Sequence, residues 1–348
     1  MRDIKNLLVF HIGHLGDTIM ILPSFWALRD AFPHGRFTLL TDRMDGEGYV
    51  NAADLFSSDF FAEIIIFSKS ADGDKRHLRS LVELWPKLRA RRFEAVAYLT
   101  PSRRQKRQIL RDRLYFRSLG IGRLLGFRGF GPFTGEMAKL HEAERILRRL
   151  SKDGIPVGRI SFDLLLNQAD DAEAQKLLEE KGLSLDDEHC VAVAPFSKMQ
   201  AKRWPMERYA ALIERLIADF AVFPIVLGGR DEKEQGDALI NYWKTGLNAA
   251  GLKVRATAAL LRRCRSYIGN DTGAMHLAAS VGVPCLAIFS ARDEPYKWRP
   301  YGDGHIVLRR EIECAGCLLT HCEHRSCLMQ ITVDEATEKA RELLRRGL

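Results

Sequence analysis

Four loops carry the residue types and spacings that suit chemistry. The first, "HIGHLGD" over residues 11–17, follows an apolar run and sets Asp17 at the start of a helical pattern. Gly13 and Gly16 permit a tight strand-to-helix turn and close backbone approach. The spacing is G-x-x-G-D, which is neither the G-x-G-x-x-G of a dinucleotide fingerprint nor a lysine-bearing P-loop. An acid at a helix start is ordinarily a cap or a dipole partner, worth about 0.5–2 kcal/mol. Its functional reading is a general base that accepts the proton of a substrate hydroxyl.

The second loop, "PFSKMQAKRWP", offers the Ser197 hydroxyl with Lys198, Lys202 and Arg203 beside a helix that starts near Pro205. Cations next to a helix N-terminus suit a diphosphate, and a plain basic surface loop is the structural alternative. Trp204 and Pro205 are expected to anchor the start of that helix by packing. The third loop, "LGGRDE", places Asp231 and Glu232 after a buried strand, where a carboxylate binds ribose hydroxyls or caps the next helix. The fourth, "GNDTGAMH", sets Asp271, Thr272 and Gly273 at a strand-to-helix junction whose backbone N–H groups face any bound phosphate. His276 falls in the first turn of that helix, where a packing role competes with a ligand role.

A fifth stretch, "CAGCLLTHCEHRSC", gathers Cys314, Cys317, Cys322 and Cys327 in one short segment. Four cysteines match the ligand count of a structural Zn2+ site, although the second pair is spaced C-x4-C. Free or redox-labile thiols and disulfides are the alternatives. Cys190, Cys264 and Cys285 sit among apolar neighbours and read as small buried residues.

The elements that must position these loops alternate along the chain. Its 348 residues suggest two domains. In the first half, "IKNLLVF", "RFTLLT", "AEIIIF", "FEAVAYL" and "GRLLGF" read as strands. They are separated by helical patterns that include "GDTIMILPSFWALRDAF" and "KRHLRSLVELWPKLRARR". The pattern restarts after residue 165, with "HCVAVAPF", "VFPIVLGG", "SYIGN" and "CLAIFS" as strands. Strands and helices alternating at this spacing imply βαβ units and parallel sheets, and in such sheets ligands sit at the carboxyl ends of the strands. The expected organisation is a first domain over 1–167, a second over 168–332, and a terminal helix over 333–348 that packs back on the first.

The formal charge is +8, and the excess is uneven. Between Arg103 and Arg128 nine basic residues, Arg103, Arg104 and Arg107 among them, face one acid, Asp112. Such a run favours an anionic partner, or else forms a solvated helix face. No apolar stretch reaches the roughly 18 residues of a membrane span, so the expectation is a cytoplasmic protein.

Together "GDTIMILPSFWALRDAFP", "PFSKMQAKRWPMERYAALIERL" and "IGNDTGAMHLAASVGVPCLAIFS" resemble glycosyltransferase family 9, the ADP-heptose heptosyltransferases of lipopolysaccharide core assembly. The pieces come in the family's order and spacing and span both halves. The resemblance implies an α/β protein of GT-B fold, two Rossmann-like domains whose parallel sheets face each other across a cleft. It implies inverting, metal-independent transfer of heptose from ADP-heptose to a hydroxyl of an acceptor glycan, with no cofactor required; no convincing D-x-D motif for a diphosphate-bound metal is present. Carried over residue by residue, Asp17 is the base. Ser197, Lys202, Asp271, Thr272, Gly273 and His276 hold the donor diphosphate, and Glu232 takes the ribose.

The chain departs from the family pattern at His11, where a lysine or arginine is usual, and at Phe196, where a glycine is common. His11, Gly16, Arg103, Arg104 and Arg107 are the acceptor-side candidates, toward an anionic glycan or glycolipid at the cytoplasmic face of the inner membrane. A related enzyme using another nucleotide sugar or another acceptor is one alternative. A non-catalytic sugar-nucleotide or polyanion binder is the other. Nucleic acid is not expected, because no reading module and no aromatic interleaving accompany the basic run.

Overall fold

Strands buried on both faces read as unbroken apolar runs, and that signature organises the chain. The structure, a computed structural model, describes residues 4–44, 49–69, 74–131, 134–180 and 189–346. The chain divides into two units, Met1–Leu165 and Leu166–Leu348.

The first unit holds strands β1 (Asn6–His11), β2 (Arg36–Met44), β3 (Glu63–Lys69), β4 (Ala95–Tyr98) and β5 (Arg123–Leu125). Its helices are α1 (Leu15–Met20), α2 (Leu22–Ala31), α3 (Ala52–Leu55), α4 (Asp74–Ala90), α5 (Lys106–Ser118) and α6 (Glu142–Ser151). The strands form one parallel sheet in the order β3-β2-β1-β4-β5, so β1 is central. Phe10 on β1 lies opposite Leu40 and Tyr98. Its ring stacks on Tyr98 and meets Phe116 of α5 edge-on, with centroids 5.5 and 5.2 Å apart.

One helical pattern expected from the sequence is two helices. Ile21 breaks it, and Pro23 occupies the first turn of α2. Proline lacks an N–H and its ring clashes with the preceding turn, so it starts a helix more readily than it continues one.

The second unit contains β6 (Cys190–Ala194), β7 (Phe223–Val226), β8 (Leu247–Asn248), β9 (Ser266–Asn270), β10 (Cys285–Phe289) and β11 (Ile306–Arg309). Its helices are α7 (Gln168–Glu179), α8 (Met206–Phe220), α9 (Lys233–Trp243), α10 (Val254–Leu261), α11 (Gly273–Ser280), α12 (Ser326–Met329) and α13 (Val333–Arg345). This sheet is also parallel, in the order β11-β10-β9-β6-β7-β8. Strand order reverses between β6 and β9, and the carboxyl ends at such a reversal form the ligand crevice of a doubly wound sheet. The segments leaving β6 and β9 are the second and fourth chemical loops.

The C-terminal helix gives a buried face to the core of this second unit. Ala336, Ala340, Leu343 and Leu344 join the core formed with Leu212, Leu216, Ile268 and Ile288, because the apolar stripe of α13 matches that of α8. Among the described residues, no helix is long and apolar enough to cross a membrane.

Candidate functional site

In the first unit the site is built on the exit from β1. Gly13 has φ +148°, and a β-carbon there would lie 2.5 Å from Cβ of Asp17. Only glycine lets the loop fold so tightly over the acid. Two backbone anchors fix the turn: Gly13 N–H donates to Asp42 Oδ1 (3.1 Å), and His14 N–H donates to Asp17 Oδ2 (3.0 Å). The second contact is the capping function expected of an acid at this position. Among the described residues it leaves Oδ1 of the half-buried Asp17 without a hydrogen bond. Gly16 is half-buried in the first turn of the same helix.

His11 has a different role from the one its position suggested. It is fully buried. Nδ1 lies 2.8 Å from the Leu99 carbonyl, which can only accept, so Nδ1 carries the proton. Nε2 lies 3.1 Å from the Thr18 hydroxyl. The ring ties β1 to the end of β4 and to α1, and faces no solvent. As the last residue of a central strand, it sits where a lysine or arginine would reach the surface only by its length.

The basic run divides in the same way. Arg104 pairs with buried Asp112, to which the Tyr98 hydroxyl also donates (2.7 Å). Burial and the nearby Asp112 carboxylate push the Tyr98 hydroxyl far above its usual range. Arg111 also pairs with Asp112 (2.8 Å). Arg104 is therefore a structural cation of the β4–α5 connection, while Arg103 and Arg107 are exposed. The loop that bears Arg103 and Arg104 is pinned by α6, where the Glu142 carboxylate accepts from the Ser102 hydroxyl (2.7 Å) and Arg149 donates to the Thr100 carbonyl.

In the second unit three loops meet at the carboxyl ends of the strands. Lys202 Nζ lies 2.6 Å from Asp271 Oδ2, both side chains largely buried. The acid of the D-T-G segment thus orients and neutralises the lysine. A carboxylate suits that task better than it suits direct contact with phosphate. Thr272 takes the N-cap position of α11 in extended backbone, without a side-chain capping bond, and Gly273 is the first helical residue. The leading N–H groups of α11 have no partners inside the helix and point out of its positive end. His276 is buried one turn in, its ring edge-on to Trp298 with centroids 6.1 Å apart.

Ser197 is buried, and its hydroxyl accepts from Met199 N–H (3.2 Å), which tightens the turn toward Lys202. Glu232 Oε2 accepts from Gly229 N–H (2.7 Å), so the candidate ribose acid also caps its own turn. Asp231 pairs with Lys198 (2.5 Å), and that hydrogen bond holds its carboxyl below the usual range. Phe196, the departure from the family pattern, packs against Gly228, where a β-carbon would come within 2.8 Å of the ring. The missing side chain at Gly228 is what makes room for the phenyl group.

Asn270 escaped the sequence reading. Fully buried, it donates through Nδ2 to the Pro195 carbonyl (2.7 Å). Its Oδ1 accepts from Trp204 N–H and the Tyr209 hydroxyl, each at 3.0 Å. One side chain on β9 therefore holds both ends of the β6 loop and the start of α8. The only local sign of it was an amide side chain closing an apolar strand. Trp204 is itself buried, edge-on to Tyr209 with centroids 4.9 Å apart.

The four clustered cysteines, Cys314, Cys317, Cys322 and Cys327, lie between β11 and α13. Among the described residues no group of three or more His, Cys, Asp or Glu side chains is placed to hold a metal ion. All four are free thiols; Cys314 and Cys317 are exposed, and Cys322 and Cys327 half-buried. The segment is held by other means. Gly316 and Leu318 donate backbone bonds to Ala291 and Arg292, Ala201 donates to Thr320, and Cys322 N–H donates to Gln200 Oε1. Cys190, Cys264 and Cys285 are buried.

Residues 141–327, more than half of the chain, match glycosyltransferase family 9 (heptosyltransferase). Lipooligosaccharide heptosyltransferase 2 of Haemophilus influenzae is 29% identical over 208 residues, which cover 55% of this chain and 57% of that protein. The glycosyl transferase family 9 structure from Veillonella parvula superposes with a TM-score of 0.76 at 22% identity, covering 99% of this chain and 98% of that one. The structure of E. coli ADP-heptose lps heptosyltransferase II gives a TM-score of 0.71 at 18% identity, with 98% and 99% covered. The fold class, α/β with two parallel Rossmann-like sheets, is that of the GT-B heptosyltransferases.

Proposed function

The chain belongs to glycosyltransferase family 9, and from that premise we propose that it moves a heptose from ADP-heptose to a hydroxyl of an acceptor glycan of the lipopolysaccharide core. The first unit takes the acceptor and the second the sugar nucleotide. Transfer proceeds with inversion. The acceptor oxygen attacks the anomeric carbon as its proton passes to Asp17, and the sugar–phosphate bond breaks with its electrons leaving on ADP. Lys202 and the first N–H groups of α11 stabilise the diphosphate charge that develops. Asp271 keeps Lys202 aimed, and Glu232 receives the ribose. Positive charge at the leaving group comes from these groups, so the reading calls on no metal ion. The reaction belongs at the cytoplasmic face of the inner membrane, where a soluble donor meets a glycolipid acceptor.

The observation that carries this reading is the half-satisfied carboxylate. Asp17 is anchored through Oδ2 at His14 N–H, and Oδ1 is left to accept a proton. Asp17→Asn keeps the anchor and the size but removes the basicity. Loss of a general base costs on the order of 10²–10⁴-fold in rate. The expected result is that loss in ADP release from ADP-heptose plus acceptor, with ADP affinity unchanged by calorimetric titration. Wild-type turnover in Asp17→Asn would remove Asp17 from the mechanism.

A further inference from the structure

We infer that the outward face of α5 docks the first unit on an anionic lipid bilayer. Most of the residues on this helix are polar, yet Leu110 and Leu114 are 57% and 61% exposed. They lie one turn apart, so they share a stripe. At 3.6 residues per turn, Lys106, Arg113 and Arg117 flank that stripe on one side and Arg107 on the other. All four cations are exposed. The opposite face is committed to the fold through buried Asp112 and Phe116, the latter within the core of the first unit. Two bonds hold the helix against α4: the Tyr115 hydroxyl to the Leu81 carbonyl (2.6 Å) and Trp85 Nε1 to the Ser118 hydroxyl (2.9 Å).

An apolar centre bordered by cations is the pattern of a helix lying in a membrane interface. Its side chains enter the acyl boundary while the cations meet anionic headgroups. The occupant follows from charge and shape together. A polyanion such as RNA would use the cations but gains nothing from two solvent-facing leucines. A second copy of the same face would bring like charges together. A bilayer with anionic headgroups satisfies both features. The inference stands apart from the transfer reaction, because it is tested without substrate and its failure leaves the reading of the site untouched.

The experiment is flotation of the full chain with vesicles of phosphatidylcholine alone or with phosphatidylglycerol. Wild type should float with the anionic vesicles and remain behind with the neutral ones. Leu110→Ser/Leu114→Ser should lower that partition about tenfold or more, and Lys106→Glu/Arg113→Glu should do the same and flatten the salt dependence. Both double variants should keep the wild-type circular dichroism and melting temperature, since all four side chains are exposed. The inference is overturned if wild type ignores anionic vesicles. It is equally overturned if the leucine variant floats as well as wild type, because a purely electrostatic contact would then be at work.

Discussion

At the scale of single residues, the Lys202–Asp271 pair governs how the donor loops respond to substitution. Lys202→Met leaves a buried carboxylate without its cation, a loss of about 3–5 kcal/mol in typical buried pairs. Thermal unfolding should register that loss, and adding Asp271→Asn should recover much of it. If Lys202 faces the donor diphosphate as proposed, ADP affinity should stay weak in both variants, because that charge is gone in both. Recovery of affinity along with stability would make Lys202 a structural residue only. The sequence made the types and order of these residues legible. It left illegible which acid serves which base, because the partners are 69 positions apart by their numbering. His11 reads as an acceptor contact from its place in the family pattern, and Arg104 from the basic run around it. Leu99, which binds one, lies across the sheet, and Asp112, which binds the other, looked like one acid lost in a basic run.

At the scale of elements, periodicity and turn residues were enough to find most strands and helices. The failure in the first half has a local cause: Pro23 restarts a helix. One connection carries a pH dependence that no pattern announces. His305 sits just before β11, where Nδ1 accepts from Cys285 N–H (3.1 Å) and Nε2 donates to the Tyr301 carbonyl (3.1 Å). The fold therefore needs the neutral ring, and burial lowers its pKa below the ordinary 6.5. On acidification the unfolded chain takes up this proton first. The His305 contribution is thus complete above the unfolded pKa and declines as pH falls below it, until the folded ring also protonates. His305→Asn retains an acceptor for Cys285 N–H without the titration. Its melting temperature should fall less than that of wild type between about pH 7.5 and 5, near the usual histidine range. Parallel curves would show that His305 does not contribute.

At the scale of the whole molecule, division of labour is the main expectation. If the second unit alone holds the nucleotide, ADP should slow hydrogen exchange in residues 195–204 and 270–280 and leave residues 12–20 as they were. Protection of the β1 exit by ADP alone would reassign that loop to donor binding. Two units were legible because the strand–helix alternation restarts after residue 165, and each half then forms its own parallel sheet. The destination of the last helix was not legible, since an amphipathic stripe states that it will be buried but not against what. Asn270 has a consequence for engineering. With Pro195 and Trp204 both fastened to one strand-borne amide, the loop between them has fixed mountings. Lys198, Gln200 and Ala201 each tie that loop to a neighbour, so Met199 is the position at which it can be varied without loosening them, while any change at Asn270 would loosen the whole fitting.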